Sequence, residues 1–176
     1  MAVEMGATPV RRLEPDDAAP FMSLRRAALE DAPFAFASSP GHDLADSVAF
    51  VREMLASADQ AVFGAFAGDL VGMAGIYRER HVKAAHKCSL WGLYVLPDAR
   101  SAGVGRALVL EALAFARSLP GVTHVGVSVT ERAPEAVSLY HSVGFITWGV
   151  EPAALRVGEV IVSESHMVLA FDGASA

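Results

Sequence analysis

The sequence predicts an α/β fold of the α+β kind: one domain on a mixed, mostly antiparallel sheet of about six to seven strands, flanked by about four helices. Three observations carry that expectation. Apolar runs with strand-like character alternate with stretches of helical spacing. A strand around Trp91 to Leu96 runs through a glycine-bearing loop directly into a long apolar helix. The chain has 176 residues, 53% hydrophobic and 19% charged, the length of one domain with apolar surface to spare for its core.

Val10 to Leu13 is predicted as a short strand, followed by a helix with Asp16 or Asp17 as N-cap that runs through Phe21 to Glu30 and stops at Pro33. A second helix is expected after His42 and Asp43, because Leu44, Val48, Val51 and Leu55 recur at three- and four-residue steps. From Gln60 the period changes. Two apolar runs flank Gly68-Asp69, a pair that tolerates positive φ, so they are predicted as a hairpin. His86 to Pro97 supplies a third strand, Arg106 to Leu119 a helix closed by Pro120-Gly121, and Val122 to Thr130 a strand. Ala133 to Ser142 is a short helix, Gly144 to Val150 a strand, and Val160 to Phe171 a last alternating strand. Residues 1–171 are thus expected to form one domain and residues 172–176 a flexible tail.

Lys and Arg number 14 against 20 Asp and Glu, a formal charge of -6, which is the wrong sign for a nucleic-acid backbone binder and compatible with a cationic substrate. Cys88 is the only cysteine, so no internal disulfide or multi-thiolate metal site can form, as suits a reducing cytoplasm. The histidines show no metal-ligand spacing, and no metal is expected. No secretory signal and no membrane-spanning run is found, so a cytoplasmic protein without a membrane partner is expected.

The loop between Pro97 and Arg106 concentrates the chemical signal. Gly103 and Gly105 let the backbone approach a ligand, and the first turn of the following helix offers unpaired N–H groups at the positive end of its dipole. A phosphate is the natural guest, with Arg100 and Arg106 placed to add charge-assisted contacts. A dinucleotide fold competes for the same glycines, with Glu131 as its ribose acid. Leu108 stands where that motif needs a third glycine, and strands precede the loop where such a unit would begin.

Arg100-Ser101-Ala102-Gly103-Val104-Gly105 resembles the acyl-CoA pyrophosphate loop of the GCN5-related N-acetyltransferases (GNAT). Ala136 to Phe145, with Leu139-Tyr140 and Gly144-Phe145 at the family's spacing, resembles their second signature. The element order agrees from Val10 to Phe171. The resemblance implies splayed central strands, with Leu93, Tyr94 and Val95 pairing with the pantetheine arm of acetyl-CoA. It also implies that the amides of Arg100, Ser101, Ala102, Gly103, Val104, Gly105 and Arg106 hold the pyrophosphate, and that His141 lies near the outer part of the coenzyme. Tyr140 takes the place of a tyrosine that protonates the departing thiolate; an ordinary phenol, with pKa near ~10, must be held close to serve a thiol of pKa ~8.5.

Two positions depart from that pattern: Ala133 stands where an Asn is frequent, and Ser89 where some members carry a glutamate base. The base is therefore open among Glu79, His81, His86 and Glu30. Trp91 is expected to line the acyl or acceptor pocket or to fill the core, and Phe34 and Phe36 to line an acceptor pocket built by the first two helices, walled by Asp31 to Phe36, and by the last hairpin around Trp148 to Val157. The implied reaction is direct attack by a primary amine, of a small molecule or a peptide, on acetyl-CoA, with an amide near Val95 polarising the carbonyl. Cys88 is read as a core residue instead of an acyl carrier. A CoA-binding sensor without turnover and a dinucleotide oxidoreductase stay as rival readings, and homodimer formation stays open.

Overall fold

The computed structural model describes residues 8–172. β1 (Val10–Arg12) leads to α1 (Ala18–Asp31) and α2 (Val48–Ala56), then to β2 (Gln60–Ala67), β3 (Asp69–Arg78) and β4 (Lys87–Val95). α3 (Val104–Ser118), β5 (His124–Thr130), α4 (Pro134–Ser142), β6 (Ile146–Val157) and β7 (Val160–Ala170) complete the chain. The tail expected over 172–176 lies outside the described residues except for Asp172.

One seven-stranded sheet has the order β1-β2-β3-β4-β5-β7-β6. Every pairing is antiparallel except β4 with β5, which is parallel and lasts only three pairs, from Lys87↔His124 to Ser89↔Gly126. Beyond Ser89 and Gly126 the two central strands part, and the sheet opens into a V. The split is the main architectural fact for function, because it leaves main-chain groups of two strands without a strand partner.

Each face of the sheet carries its own core. α3 buries a stripe at Val104, Leu108, Val109, Ala112, Leu113 and Ala116, the three- and four-residue spacing of an amphipathic helix, against Ile76, Leu90 and Val125, and Tyr140 of α4 joins this layer. On the other face α1 and α2 set Phe21, Leu24, Val51 and Leu55 against Val62, Met73 and Tyr94. Among the described residues no helix is long and apolar enough to cross a membrane.

Three local departures from expectation have physical causes. Asp17 stands at the N-cap position of α1, but its carboxylate accepts from the Glu14 amide at 2.8 Å and pairs with Arg11 at 2.7 Å, so it caps no α1 amide. The second helix starts five residues after Asp43, because that carboxylate is held by Arg25 and the Ala45 amide; Leu44–Asp46 forms a separate 3-10 turn, and Ser47 Oγ accepts the Phe50 N–H of α2. β6 runs through Pro152 to Val157 instead of ending at Val150. It is the edge strand, where a missing N–H is tolerated, and a bulge between Glu151 and Leu155 absorbs the extra residues.

A bulge also shapes β4. Between Met73↔Tyr94 and Gly75↔Trp91, Gly92 and Leu93 oppose the single residue Ala74, and Gly92 takes φ +66°. That kink bends β4 beside the V.

Candidate active site

Where β4 and β5 part, a cleft of about 840 Å³ opens. Its walls are Leu90 to Val95 of β4, Val127 to Thr130 of β5, the first turn of α3, the inward residues of α4 and the Asp31 to Phe36 connection. It therefore touches both faces of the sheet, with Tyr140 in the α3 and α4 layer and Trp91 and Phe36 in the α1 and α2 layer.

The glycine loop forms one end. Ser101 (φ +67°) and Gly103 (φ +75°) both occupy the left-handed region, turning the chain sharply into α3. The amides of residues 101–106 have no hydrogen-bond acceptor among the described residues; the next amide, Ala107, bonds to the Gly103 carbonyl at 3.0 Å. Six consecutive donors of this kind, the last three in the first turn of α3, are suited to an anion. Arg100 is placed differently from expectation: its amide bonds to the Pro97 carbonyl, and its guanidinium donates to the Val95 carbonyl at 2.8 Å and to Asp31 at 2.9 Å. It ties the loop to β4 and α1. Arg106 lines the cleft and makes no ion pair with a described residue.

Leu93, Tyr94 and Val95 all line the cleft. The Tyr94 hydroxyl donates to Asp31 at 3.0 Å, and burial, followed by that carboxylate, raises its pKa. Tyr140 is 3% exposed, packs edge-on to Phe145 with ring centroids 5.3 Å apart, and faces the cleft with a hydroxyl that bonds to no described residue. Burial pushes its phenol well above the ordinary value, which keeps it protonated.

The sequence comparison agrees with the split sheet and its loop between a strand and a helix: the model of the Acetyltransferase (GNAT) family matches residues 21–145. The chain belongs to the GNAT acetyltransferase family. A GCN5-related N-acetyltransferase from Kribbella flavida is 26% identical, with a TM-score of 0.79 over 94% of this chain and 98% of that one. yncA, a putative acetyltransferase from Salmonella typhimurium solved with its cofactor acetyl-CoA, is 19% identical with TM-score 0.80 over 96% of each chain. A phosphinothricin acetyltransferase from Sinorhizobium meliloti in complex with AcCoA is 17% identical with TM-score 0.81 over 93% of this chain and 88% of that one. No curated protein matches the chain in sequence.

Within this GNAT chain the remaining expected residues fall into two groups. Trp91, Phe34 and Phe36 line the cleft. Trp91 rests on Gly75, where an added Cβ would lie 2.1 Å from the indole, and Arg132 stacks over Phe34 at 5.3 Å. The other group lies outside the cleft lining. His141 is exposed, its Nδ1 3.0 Å from the Phe145 carbonyl, and Ala102 is exposed and does not line the cleft. Glu30 is exposed on α1, Glu79 accepts from Ser89 Oγ at 2.6 Å, and His81 and His86 are exposed at the far ends of the strands. None of Trp148 to Val157 lines the cleft directly. Cys88 is buried in the α3 layer with its thiol pushed up to about 11 by burial, unsuited to nucleophilic work.

Two clusters were missed in the sequence. Arg25 and Asp43 form a buried bidentate pair behind the Phe36 and Trp91 wall. Ser128, exposed on β5 and lining the cleft, bonds to His166 of β7, which bonds in turn to Glu151 of β6. Neither carries a motif; both depend on pairings distant in sequence.

Proposed function

We propose that this chain is a cytoplasmic, acetyl-CoA-dependent N-acetyltransferase that acetylates a primary amine, of a small molecule or a peptide, by direct attack. One observation carries the reading: a run of six unpaired amides closes one end of a cleft that passes through a split sheet. The amide run suits a diphosphate, and the parted strand suits the amide-bearing pantetheine arm that would pair with it. The two acetyl-CoA complexes among similar structures support the same donor.

Acetyl-CoA supplies an activated acetyl carbonyl: the C–N bond to the acceptor forms as the C–S bond breaks, giving the acetylated amine and the free CoA thiol. The chain's own residues do the rest. Amides 101–106 hold the diphosphate, with Arg106 beside them. Leu93, Tyr94 and Val95 offer main chain to the arm, and an amide near Val95 polarises the carbonyl, an effect typically worth ~3 kcal/mol per donor. Tyr140, buried and protonated, gives its proton to the departing sulfur. Trp91, Phe34 and Phe36 form an apolar wall for the acceptor.

Calorimetry with acetyl-CoA, NAD and NADP, followed by thiol release from acetyl-CoA with a panel of primary amines, tests the proposal. Binding of acetyl-CoA alone and amine-dependent thiol release are expected. Binding of a dinucleotide without acetyl-CoA would overturn the reading, and acetyl-CoA binding without thiol release from any amine would leave a sensor in its place.

A further inference from the structure

Resting on the acetyl-transfer reading above, we propose that Ser128, His166 and Glu151 form the relay that takes the proton the acceptor amine must shed, with the Ser128 hydroxyl as the group touching the amine. Ser128 Oγ lies 2.8 Å from His166 Nδ1, and His166 Nε2 lies 2.9 Å from Glu151 Oε2. A carboxylate can only accept, so Nε2 carries the ring hydrogen. In the neutral ring Nδ1 is then the bare nitrogen, and the Ser128 hydroxyl must donate to it. That orientation leaves the lone pairs of Ser128 Oγ for a donor in the cleft, which is what an attacking amine is.

The position fits the task. The last β4–β5 pair is Ser89↔Gly126, so Ser128 stands two residues beyond it on β5 and Trp91 two residues beyond it on β4. Both line the cleft at the same level of the V. Val127 and Val129 bury their side chains in the α3 and α4 layer, so strand alternation sends Ser128 to the opposite face, that of Trp91 and Phe36. Tyr140 belongs to the α3 and α4 layer. The proton acceptor and the proton donor therefore approach the gap from opposite faces, which gives the incoming nitrogen and the outgoing sulfur separate proton partners.

The relay is held by the sheet. Ser128 is the β5 partner of His166, and Gly149 is its β6 partner, so the imidazole is fixed between two strands. The Trp148 ring lies 5.4 Å from it at 32°. The charged groups around it are Glu151 on β6 and Glu164 on β7, which face each other across the strands. Burial, with Glu151 nearby, raises the pKa of Glu164, while His166 opposes the rise. No cation from β5, β6 or β7 pairs with the ring.

The proton balance is simple. As the C–N bond forms, the nitrogen passes one proton to Ser128 Oγ while the Ser128 proton passes to Nδ1, and Glu151 faces the resulting imidazolium. The electron pair of the C–S bond leaves on sulfur, which takes the Tyr140 proton. His166 then returns its proton to solvent and Tyr140 regains one.

Thiol release from acetyl-CoA is to be followed against pH for the wild type, Ser128→Ala, His166→Gln, Glu151→Gln and Glu151→Val, with an alkylamine, a polyamine, an amino acid and a peptide α-amine as acceptors. Histidine tautomers are read in parallel by 15N NMR of the intact protein. Ser128→Ala and His166→Gln are expected to lower kcat on the order of 10²-fold, with unchanged affinity for acetyl-CoA. His166→Gln should also alter the pH profile of kcat. Glu151→Gln, whose amide oxygen still accepts the Nε2 hydrogen, should keep more activity than Glu151→Val. Full activity in the Ser128 and His166 variants with an unaltered profile, or an Nδ1–H tautomer at His166, overturns the relay and leaves acetyl transfer standing. A wild type that releases thiol with none of the amines overturns acetyl transfer, and the relay falls with it.

Discussion

Arg25 Nε and Nη2 hold both carboxylate oxygens of Asp43, at 3.1 and 3.0 Å, with side chains only 5% and 1% exposed. The guanidinium also stacks against Phe36 at 4.7 Å and Trp91 at 5.7 Å. One buried pair thus joins α1 to the chain before α2 and backs the wall of the cleft. Asp43→Ala strands the Arg25 cation in the core, and a loss of roughly 3 to 5 kcal/mol in urea unfolding is expected. A loss below ~1 kcal/mol would mean the pair does not brace the layer.

The same pair sets an acid limit. Burial alone would raise the Asp43 pKa, but the Arg25 hydrogen bonds and charge, with the Ala45 amide, outweigh it and hold the carboxyl below its ordinary value. A group depressed in the folded state contributes stability above its unfolded pKa and loses it as pH falls through the folded one. Unfolding free energy should therefore drop below about pH 4, near the free carboxylate value. Asp43→Asn should flatten part of that slope.

Gly75→Ala places a Cβ 2.1 Å from Trp91, so the indole must leave its seat. Overpacking of this kind costs about 1 to 3 kcal/mol. The expected kinetic result is a raised KM for the amine with little change in acetyl-CoA affinity, since the proposed acceptor wall includes Trp91. Wild-type KM in the folded variant would remove Trp91 from that wall.

Tyr140→Phe retains the edge-on packing on Phe145 and removes only the hydroxyl. A fall in kcat on the order of 10² to 10⁴ is expected, with acetyl-CoA binding unchanged by calorimetry. Wild-type turnover would take Tyr140 out of the reaction.

The glycine loop was legible because it is local: Gly103 and Gly105 sit at fixed offsets between an apolar strand and an apolar helix. The split of the sheet, between strands paired 37 residues apart, was implied only by the family resemblance that this loop carries. The Ser128, His166 and Glu151 array was not legible, since the first two are partners only through the β5–β7 register, 38 residues apart. His141, which the resemblance places near the outer part of the coenzyme, is exposed on α4 beside the buried Tyr140, because adjacent helical side chains diverge, and its Nδ1 lies 3.0 Å from the Phe145 carbonyl. The length of β6 was hidden by Gly149 and Pro152, residues that usually end strands but are tolerated at an edge. Arg100 reads in sequence as a phosphate ligand. Asp31, brought alongside by the fold, claims its guanidinium.

Gly103→Ala puts a Cβ on a residue at φ +75°, at a cost of roughly 1 to 2 kcal/mol in backbone strain. Apart from the glycine and its chain neighbours, no described atom lies within 4 Å of that Cβ, so no clash is added and the strain falls on the loop proposed to hold the diphosphate; calorimetry should show weaker acetyl-CoA binding with otherwise normal core packing.

The most direct test is a crystal structure of the protein with acetyl-CoA. The account requires the diphosphate on the amides of residues 101–106, the arm along Leu93 to Val95, and the thioester between Tyr140 and Ser128. A coenzyme seated outside the V between β4 and β5, with those amides bound to water, would contradict it.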